Sequence, residues 1–290
     1  MNLPPFDFYK ENHPLAPETY YRVGGPARLA LFPRNADEAI SAYQWMSAQP
    51  ERCMILGRGS NVLIADHGFP GIVMLTKGLT GIQALDEGRY VVEAGYPLVT
   101  LVREVIVPGN YEGAGALTGI PGSVGGAVFM NAGTMHGSTC ELVESVDLIT
   151  ANGPATFMMI SSAYGYRSQS FCRDEDLILR AVFRFHKSDK NQREIYEHYL
   201  QRRLASQPQG LCCGSVFKNP ENDHAGRLIE ACGLKGARRG GAIISPQHAN
   251  FIMNENGATC DDILWLIDQC KRRVREEFGI ELQEEVRIIR

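Results

Sequence analysis

The stretch of this chain best suited to binding chemistry carries no charge. Between Glu112 and Glu141 there is no Asp, Glu, Lys or Arg, and the centre reads Gly119-Ile120-Pro121-Gly122-Ser123-Val124-Gly125-Gly126-Ala127-Val128-Phe129-Met130-Asn131-Ala132-Gly133. Pro121, Asn131 and the repeated glycines interrupt the apolar run that a bilayer span requires, and glycine reaches backbone angles closed to other residues. Glycines at 119, 122, 125 and 126 remove the side chains that would hold a ligand away. A row of backbone N–H groups can then face a diphosphate without needing a cation. A second loop, Gly57-Arg58-Gly59-Ser60-Asn61, lies between two short apolar runs. It is not a Rossmann fingerprint, because Val62 stands where a third glycine is needed and no helix follows.

Three short polar motifs lie far apart: Tyr164-Gly-Tyr-Arg-Ser168, Gly214-Ser-Val-Phe-Lys-Asn-Pro220 and Leu282-Gln-Glu-Glu-Val-Arg287. Taken singly, Arg167 reads as a surface ion-pair partner, Ser215 as a turn hydroxyl and Glu285 as a solvated charge beside a terminal strand. Patterns this short are frequent by chance. Their joint presence with the glycine segment is what calls for an explanation. His136, His224 and His248 have no spacing that pairs them and read as structural or surface histidines.

The elements that must position these residues form an α/β mixture. Ala27 to Phe32 reads as a strand and Ala36 to Ala48 as a helix capped by Asn35 and stopped before Pro50. Strands are expected at Cys53 to Leu56, Val62 to Ala65, Gly71 to Leu75 and Tyr90 to Ala94, then a helix with Pro97 in its first turn. Val143 to Thr150, Ala155 to Ile160 and Leu177 to Phe185 carry antiparallel signals, the last alternating Ala181, Phe183 and Phe185 with Arg180 and Arg184. The polar run Lys187 to Asn191 opens a charged helix to about Ser206. Farther on, Thr259 and Asp262 cap a helix with an apolar stripe at Ile263, Ile267, Cys270, Val274 and Phe278, and Gly279 ends it. Val286 to Ile289 is the last strand. Residues 1–75, 76–187 and 188–290 are expected as three parts, with the segment 282–290 returning to the active site.

Composition bounds the function. The chain has 290 residues, 44% hydrophobic and 21% charged, enough to bury large cores in two or three lobes. A net charge of -4 and a pI near 6.0 give no electrostatic case for nucleic acid. The start of the chain lacks the basic-then-apolar order of a signal peptide and no later stretch is long enough to span a membrane, so the cytoplasm is expected. The cysteines include no C-x-x-C pair and no Cys/His cluster at zinc spacing, so no metal is expected, and adjacent Cys212 and Cys213 read as free thiols.

Taken in order, the motifs resemble those of a known family, the flavin-dependent UDP-N-acetylenolpyruvoylglucosamine reductases of bacterial cell-wall synthesis. The resemblance begins at Thr19 and Arg22-Val-Gly-Gly-Pro-Ala27 and runs through Gly57 to Leu63, the glycine segment, Tyr166-Arg167 and Gly214 to Pro220. It continues through Ala225-Gly-Arg-Leu-Ile-Glu230, Gly233-Leu-Lys-Gly236 and Ser245-Pro-Gln-His-Ala-Asn-Phe251 to Leu282–Arg287. It implies an α+β fold: a two-lobed FAD-binding domain of the vanillyl-alcohol-oxidase type plus a C-terminal α/β substrate-binding domain. It implies FAD bound by Gly57, Gly59, Ser60, Asn61, Gly119, Ile120, Pro121, Gly122, Ser123, Gly125, Gly126, Asn131, Ala132 and Gly133. NADPH is the implied reductant, using the same pocket as the substrate in turn.

The implied substrate is a nucleotide-sugar whose enolpyruvyl double bond is conjugated to a carboxylate. In the family the residue matching Arg167 sits by that carboxylate, the one matching Ser215 donates a proton at C2 and the one matching Glu285 assists. Tyr166, Lys218 and Asn219 are the further implied substrate contacts, and a cation such as Lys218 would stabilise a serine alkoxide. Motif register selects Glu285 over Glu284; in a regular strand Glu284 would share a face with Leu282 and Val286. Related oxidases tether FAD to a histidine near the place of Asn61, so noncovalent FAD is expected. Thr134-Met135-His136-Gly137 departs from the common pattern, and residues 168 to 214 leave no room for the substrate-covering Tyr segment of one branch. A monomer is expected. Another flavin oxidase or dehydrogenase of the same class would keep the glycine loops without needing the Ser215 motif, and a non-enzymatic nucleotide-binding protein would need neither Ser215 nor Arg167.

Overall fold

The computed structural model describes residues 3–290. The described chain packs as two units: one made of residues 3–11, 28–58 and 71–202, the other of 12–27, 59–70 and 203–290. The content is α+β.

The first unit holds two separate cores. One lies under a sheet ordered Tyr9–Pro14, Pro26–Leu31, Phe69–Leu75, Cys53–Leu56, the last two running parallel. The helix Ala36–Ser47 closes it with Ala39, Ala42, Tyr43 and Met46, and begins where Asn35 Oδ1 accepts the Glu38 N–H at 2.9 Å. The other core lies under an antiparallel sheet ordered Gly153–Met158, Val143–Thr150, Leu177–Arg184, Arg89–Glu93, Ile82–Asp86. Alternation works as expected here: Ala181, Phe183 and Phe185 are buried, while Arg180 faces out and pairs with Asp147 at 2.6 Å. Val124 and Val128, on the glycine segment's helix Val124–Phe129, sit in this same core.

Two expectations change in this unit. Pro97 is the N-cap of a helix confined to Leu98–Leu101, after which Val102–Ile106 widens into a turn in which Val107 N–H reaches back to Val102 O. The strand Ile82–Asp86 had no sequence signal. Every one of its residues is exposed at a sheet edge, so no alternation marks it.

The second unit packs the helix Cys260–Phe278 with a sheet ordered Arg238–Arg239, Ala242–Ile244, Ile252–Asn254. The helix starts with a reciprocal cap between Thr259 and Asp262, buries Ile263, Ile267, Cys270 and Val274, and stops at Gly279 with φ +68°. Arg287–Ile289 pairs in parallel with Val62–Ile64. Tyr21, Val23 and Leu63 join this unit's core, which is why 12–27 and 59–70 fall in it rather than with the expected 1–75 part. The expected cut at 187/188 also differs from the observed 202/203. Helix Gln192–Ser206 belongs mostly to the first unit because buried Gln192 accepts the Ala114 N–H and Ile195 and Tyr196 pack on that core.

Removing the reciprocal cap by Thr259→Ala is expected to lower stability by about 1 kcal/mol, read as a lower urea midpoint with an unchanged slope.

Candidate active site

In the glycine segment, most backbone donors are already used. Ile120 N–H donates to Leu117 O, Val124 N–H to Tyr96 O at 2.9 Å and Gly125 N–H to Ala94 O at 2.8 Å. Gly125 therefore serves close packing rather than donation: a Cβ there would lie 2.7 Å from Ala94 Cβ. The buried N–H groups of Gly122 and Ser123 have no acceptor among the described residues. Gly126 N–H has only a 3.5 Å contact to Ser123 Oγ. Buried orphan donors cost about 1–3 kcal/mol each and ask for a partner. Gly57 packs against the same spot, since a Cβ on it would come within 2.5 Å of Ser123 Oγ. Arg58 N–H likewise has no acceptor among the described residues, its guanidinium turned to Gly95 O at 3.3 Å. These orphan N–H groups on two touching, side-chain-free loops fit an anionic diphosphate.

The far end of that helix builds the arginine's seat. Asn131, buried and at φ +41°, donates through Nδ2 to Gly165 O at 2.8 Å and accepts the Cys140 N–H at 3.0 Å. Its side chain is thus a staple for the hairpin Tyr164–Gly165 with Ser168–Gln169. Tyr166 and Arg167 form the tight turn, and Arg167 takes φ +52°, a conformation that costs a non-glycine residue about 1–2 kcal/mol. Arg167 Nη2 donates to Gly133 O at 2.8 Å and the guanidinium lies 5.1 Å from the Tyr166 ring centroid. Gly133 has to be glycine, because a Cβ would meet Gly137 O at 2.3 Å. The exposed Tyr166 and this guanidinium form one rigid corner.

The second unit brings Ser215, Lys218, Asn219 and Glu285 onto neighbouring segments. Gly214 turns at φ +76° just before Ser215, whose half-buried hydroxyl has no hydrogen-bond partner among the described residues. Val216 O accepts two successive N–H groups, Glu285 at 2.8 Å and Val286 at 3.3 Å, while Lys218 N–H donates to Gln283 O at 2.9 Å. That doubled acceptor is a bulge, so the regular-strand phase expected for 282–287 fails at Glu285. Glu284 is drawn away to Lys271 Nζ at 2.8 Å on the helix Cys260–Phe278. Asn61 Nδ2 donates to Glu285 O at 2.9 Å, so this expected cofactor residue spends its amide on the backbone that carries Glu285. Asn219 Oδ1 accepts the Ala225 N–H at 3.1 Å. Gly59, at φ +62°, could not carry a Cβ because it would stand 2.1 Å from Glu18 O.

Other candidate groups are poorly placed for chemistry. Burial pushes the Cys213 thiol up, and Cys140, Cys260 and Cys270 up to about 12. Burial likewise holds His248 below the usual histidine range. No group of three or more His, Cys, Asp or Glu able to hold a metal occurs among the described residues. Sequence reasoning missed Asn250, whose carbonyl and side chain both bond the segment after Ser215; its only signal was membership of the Ser245–Phe251 motif.

Residues 27–156 match a family model described as an FAD binding domain, and residues 207–289 match one described as UDP-N-acetylenolpyruvoylglucosamine reductase, C-terminal domain. Relatives named UDP-N-acetylenolpyruvoylglucosamine reductase include one from Synechococcus sp. (strain CC9311), 40% identical over 94% of this chain and 91% of the relative. Another from Carboxydothermus hydrogenoformans is 34% identical over 96% and 93%. The crystal structure of UDP-N-acetylenolpyruvylglucosamine reductase from Thermus caldophilus superposes with a TM-score of 0.77 at 32% identity, covering 97% of this chain and 98% of that one.

Gly57→Ala is expected to lower the flavin retained through gel filtration, read as the ratio of visible to ultraviolet absorbance. Gly57→Ala with Ser123→Gly should recover part of it, because the colliding hydroxyl is gone and a glycine cap costs only a few tenths of a kcal/mol. With FAD-binding and reductase models matched in chain order, and relatives at 34% and 40% identity covered almost end to end, the chain belongs to the UDP-N-acetylenolpyruvoylglucosamine reductase family.

Proposed function

We propose that this chain uses NADPH to reduce the enolpyruvyl group of UDP-N-acetylglucosamine enolpyruvate, giving the lactyl ether of UDP-N-acetylmuramate for peptidoglycan synthesis. The chemistry supplied by noncovalently bound FAD is hydride transfer from NADPH to the terminal enolpyruvyl carbon. The Gly122 and Ser123 N–H groups, with Arg58 N–H, hold its diphosphate, while Gly57 and Gly125 permit the close packing this needs.

The observation that carries the reading is a Ser215 hydroxyl with no hydrogen-bond partner among the described residues, on a segment whose next residue, Val216, accepts the Glu285 N–H through its carbonyl. Addition of hydride at the terminal carbon leaves enolate-like charge at C2 and on the carboxylate. Arg167, pre-set by its strained turn, offers a permanently charged planar fork to that carboxylate. Ser215 Oγ–H gives its proton to C2 and becomes an alkoxide, which Lys218 stabilises electrostatically and which regains a proton by way of Glu285. Tyr166 and Asn219 contact the nucleotide-sugar. Glu284 is committed to an ion pair with Lys271, and Glu285 is the carboxylate assigned this task. No described helix is long and apolar enough to cross a membrane. A cytoplasmic monomer that takes NADPH and the sugar nucleotide into one pocket in turn completes the reading.

Ser215→Ala should still allow NADPH to bleach the flavin yet lose about 100- to 10,000-fold in passing electrons to the enolpyruvyl nucleotide-sugar; near-normal turnover would remove the serine from the mechanism. Glu285→Gln and Glu284→Gln separate the two carboxylates. The first should lower kcat at similar KM, the second should leave kcat within about threefold and act on stability by about 1 kcal/mol or less, and the reverse result would reassign the role.

A further inference from the structure

The motif Ser245-Pro-Gln-His-Ala-Asn-Phe251 has no part in the reading above, yet the second unit devotes an unusual set of bonds to it. It is the connection between the strands Ala242–Ile244 and Ile252–Asn254. Ser245 Oγ accepts the N–H of Gln247 at 3.1 Å and of His248 at 3.3 Å, and Ser245 N–H donates to Phe251 O at 2.8 Å, closing the loop on itself. His248 Nδ1 accepts the Asn250 N–H at 3.2 Å, which requires that nitrogen to be unprotonated. All of this fixes one buried side chain, Asn250, 3% exposed.

Asn250 grips the segment carrying Ser215 on three sides. Its carbonyl accepts the Val216 N–H at 2.9 Å, its Oδ1 accepts the Phe217 N–H at 2.9 Å, and its Nδ2 donates to Phe217 O at 2.8 Å. The side chain therefore satisfies both backbone groups of Phe217 as a neighbouring strand would, but at a single point and on a rigid loop. Val216, held on its N–H side by Asn250, uses its carbonyl to accept Glu285 and Val286. The position of Ser215 and that of Glu285 are thus set through the same two peptide groups.

We propose that Asn250 is a positioning residue for the reduction step: its amide clamp sets the orientation of Ser215 and, through Val216, of Glu285. The proposal rests on the roles given above to those two residues. Loss of the clamp lets the 215–217 segment shift by a fraction of an ångström to an ångström, and misplacement of that size costs about 100-fold in rate. The defect falls on proton delivery alone, because among the described residues the hydrogen bonds of Asn250 run to Val216, Phe217 and His248 and to no group assigned to the flavin or to the nucleotide-sugar.

A built-in control exists. Asn254, on the strand that follows, is a second buried asparagine, with Nδ2 donating to Tyr21 O at 2.8 Å and Oδ1 accepting the Ala258 N–H at 2.8 Å, and among the described residues it has no hydrogen bond to residues 214–217. In anaerobic stopped-flow work on the holoenzyme, Asn250→Ala should leave flavin reduction by NADPH within about twofold and slow flavin reoxidation by the enolpyruvyl nucleotide-sugar by about 100-fold, with a larger solvent deuterium effect on that step. Asn254→Ala should slow neither step selectively. In the Ser215→Ala background, adding Asn250→Ala should cost no more than a further twofold, since the hydroxyl that the clamp aims, and to which Glu285 returns a proton, is then gone.

If Asn250→Ala does not fold, Asn250→Asp, which keeps the acceptor for the Phe217 N–H, should give the same split at reduced size. Equal slowing of both half-reactions by the position-250 variants, or losses that multiply in the double variant, would overturn the proposal. Normal reoxidation by Ser215→Ala alone would instead overturn the serine's role, so the two failures are distinguishable.

Discussion

A polypeptide can hold a charged diphosphate with uncharged groups only if some of its own N–H donors are left unspent in a place where no side chain intervenes. In this chain that condition is met by the N–H groups of Gly122 and Ser123, kept company by Gly57 at a distance that excludes even a methyl group. The neighbouring donors of Val124 and Gly125 are consumed by Tyr96 and Ala94, and that consumption is what docks the helix Val124–Phe129 on the antiparallel sheet. Unspent donors and anchoring donors are therefore divided among consecutive residues of one short segment. The charge proposed to act on the reacting group comes from other residues, Arg167, Lys218 and Glu285.

Rigidity is spent on the residues assigned to chemistry. Arg167 sits in a left-handed turn held by Asn131, itself left-handed and buried, and by Gly133. Ser215 follows a left-handed Gly214 and is fixed through its successors by Asn250. Strain and buried amide staples recur at both places, as expected where a structure must hold a few groups in one geometry. The staples are asparagines in each case, because one amide can satisfy a carbonyl and an N–H at once.

Much of this was legible in the sequence where the signal is local. The helix Cys260–Phe278 carried its cap, stripe and stop within its own residues, and Asn35 announced the helix Ala36–Ser47. What could not be read depends on partners distant in the chain. Gly125 was expected to donate to a ligand, but its acceptor is Ala94, about thirty positions away, and no sequence pattern marks that pairing. Motif register, not strand phase, selected Glu285 over Glu284, and the bulge opposite Val216, which breaks the two-residue period there, has no local signal. Asn61 and Asn131 were expected at the cofactor by motif; their side chains are occupied by Glu285 O and Gly165 O. The site's motifs were found, and the wiring between them was not.

The proposed activity carries electrons from NADPH to an enolpyruvyl nucleotide-sugar through a flavin held by backbone groups. Anaerobic titration followed in the visible flavin band tests it most directly. NADPH should bleach the band and an equimolar amount of the enolpyruvyl nucleotide-sugar should restore it, with all flavin released on heat or acid denaturation. Absence of a flavin band after reconstitution with FAD, or a bleached band that the nucleotide-sugar fails to restore, would rule that activity out.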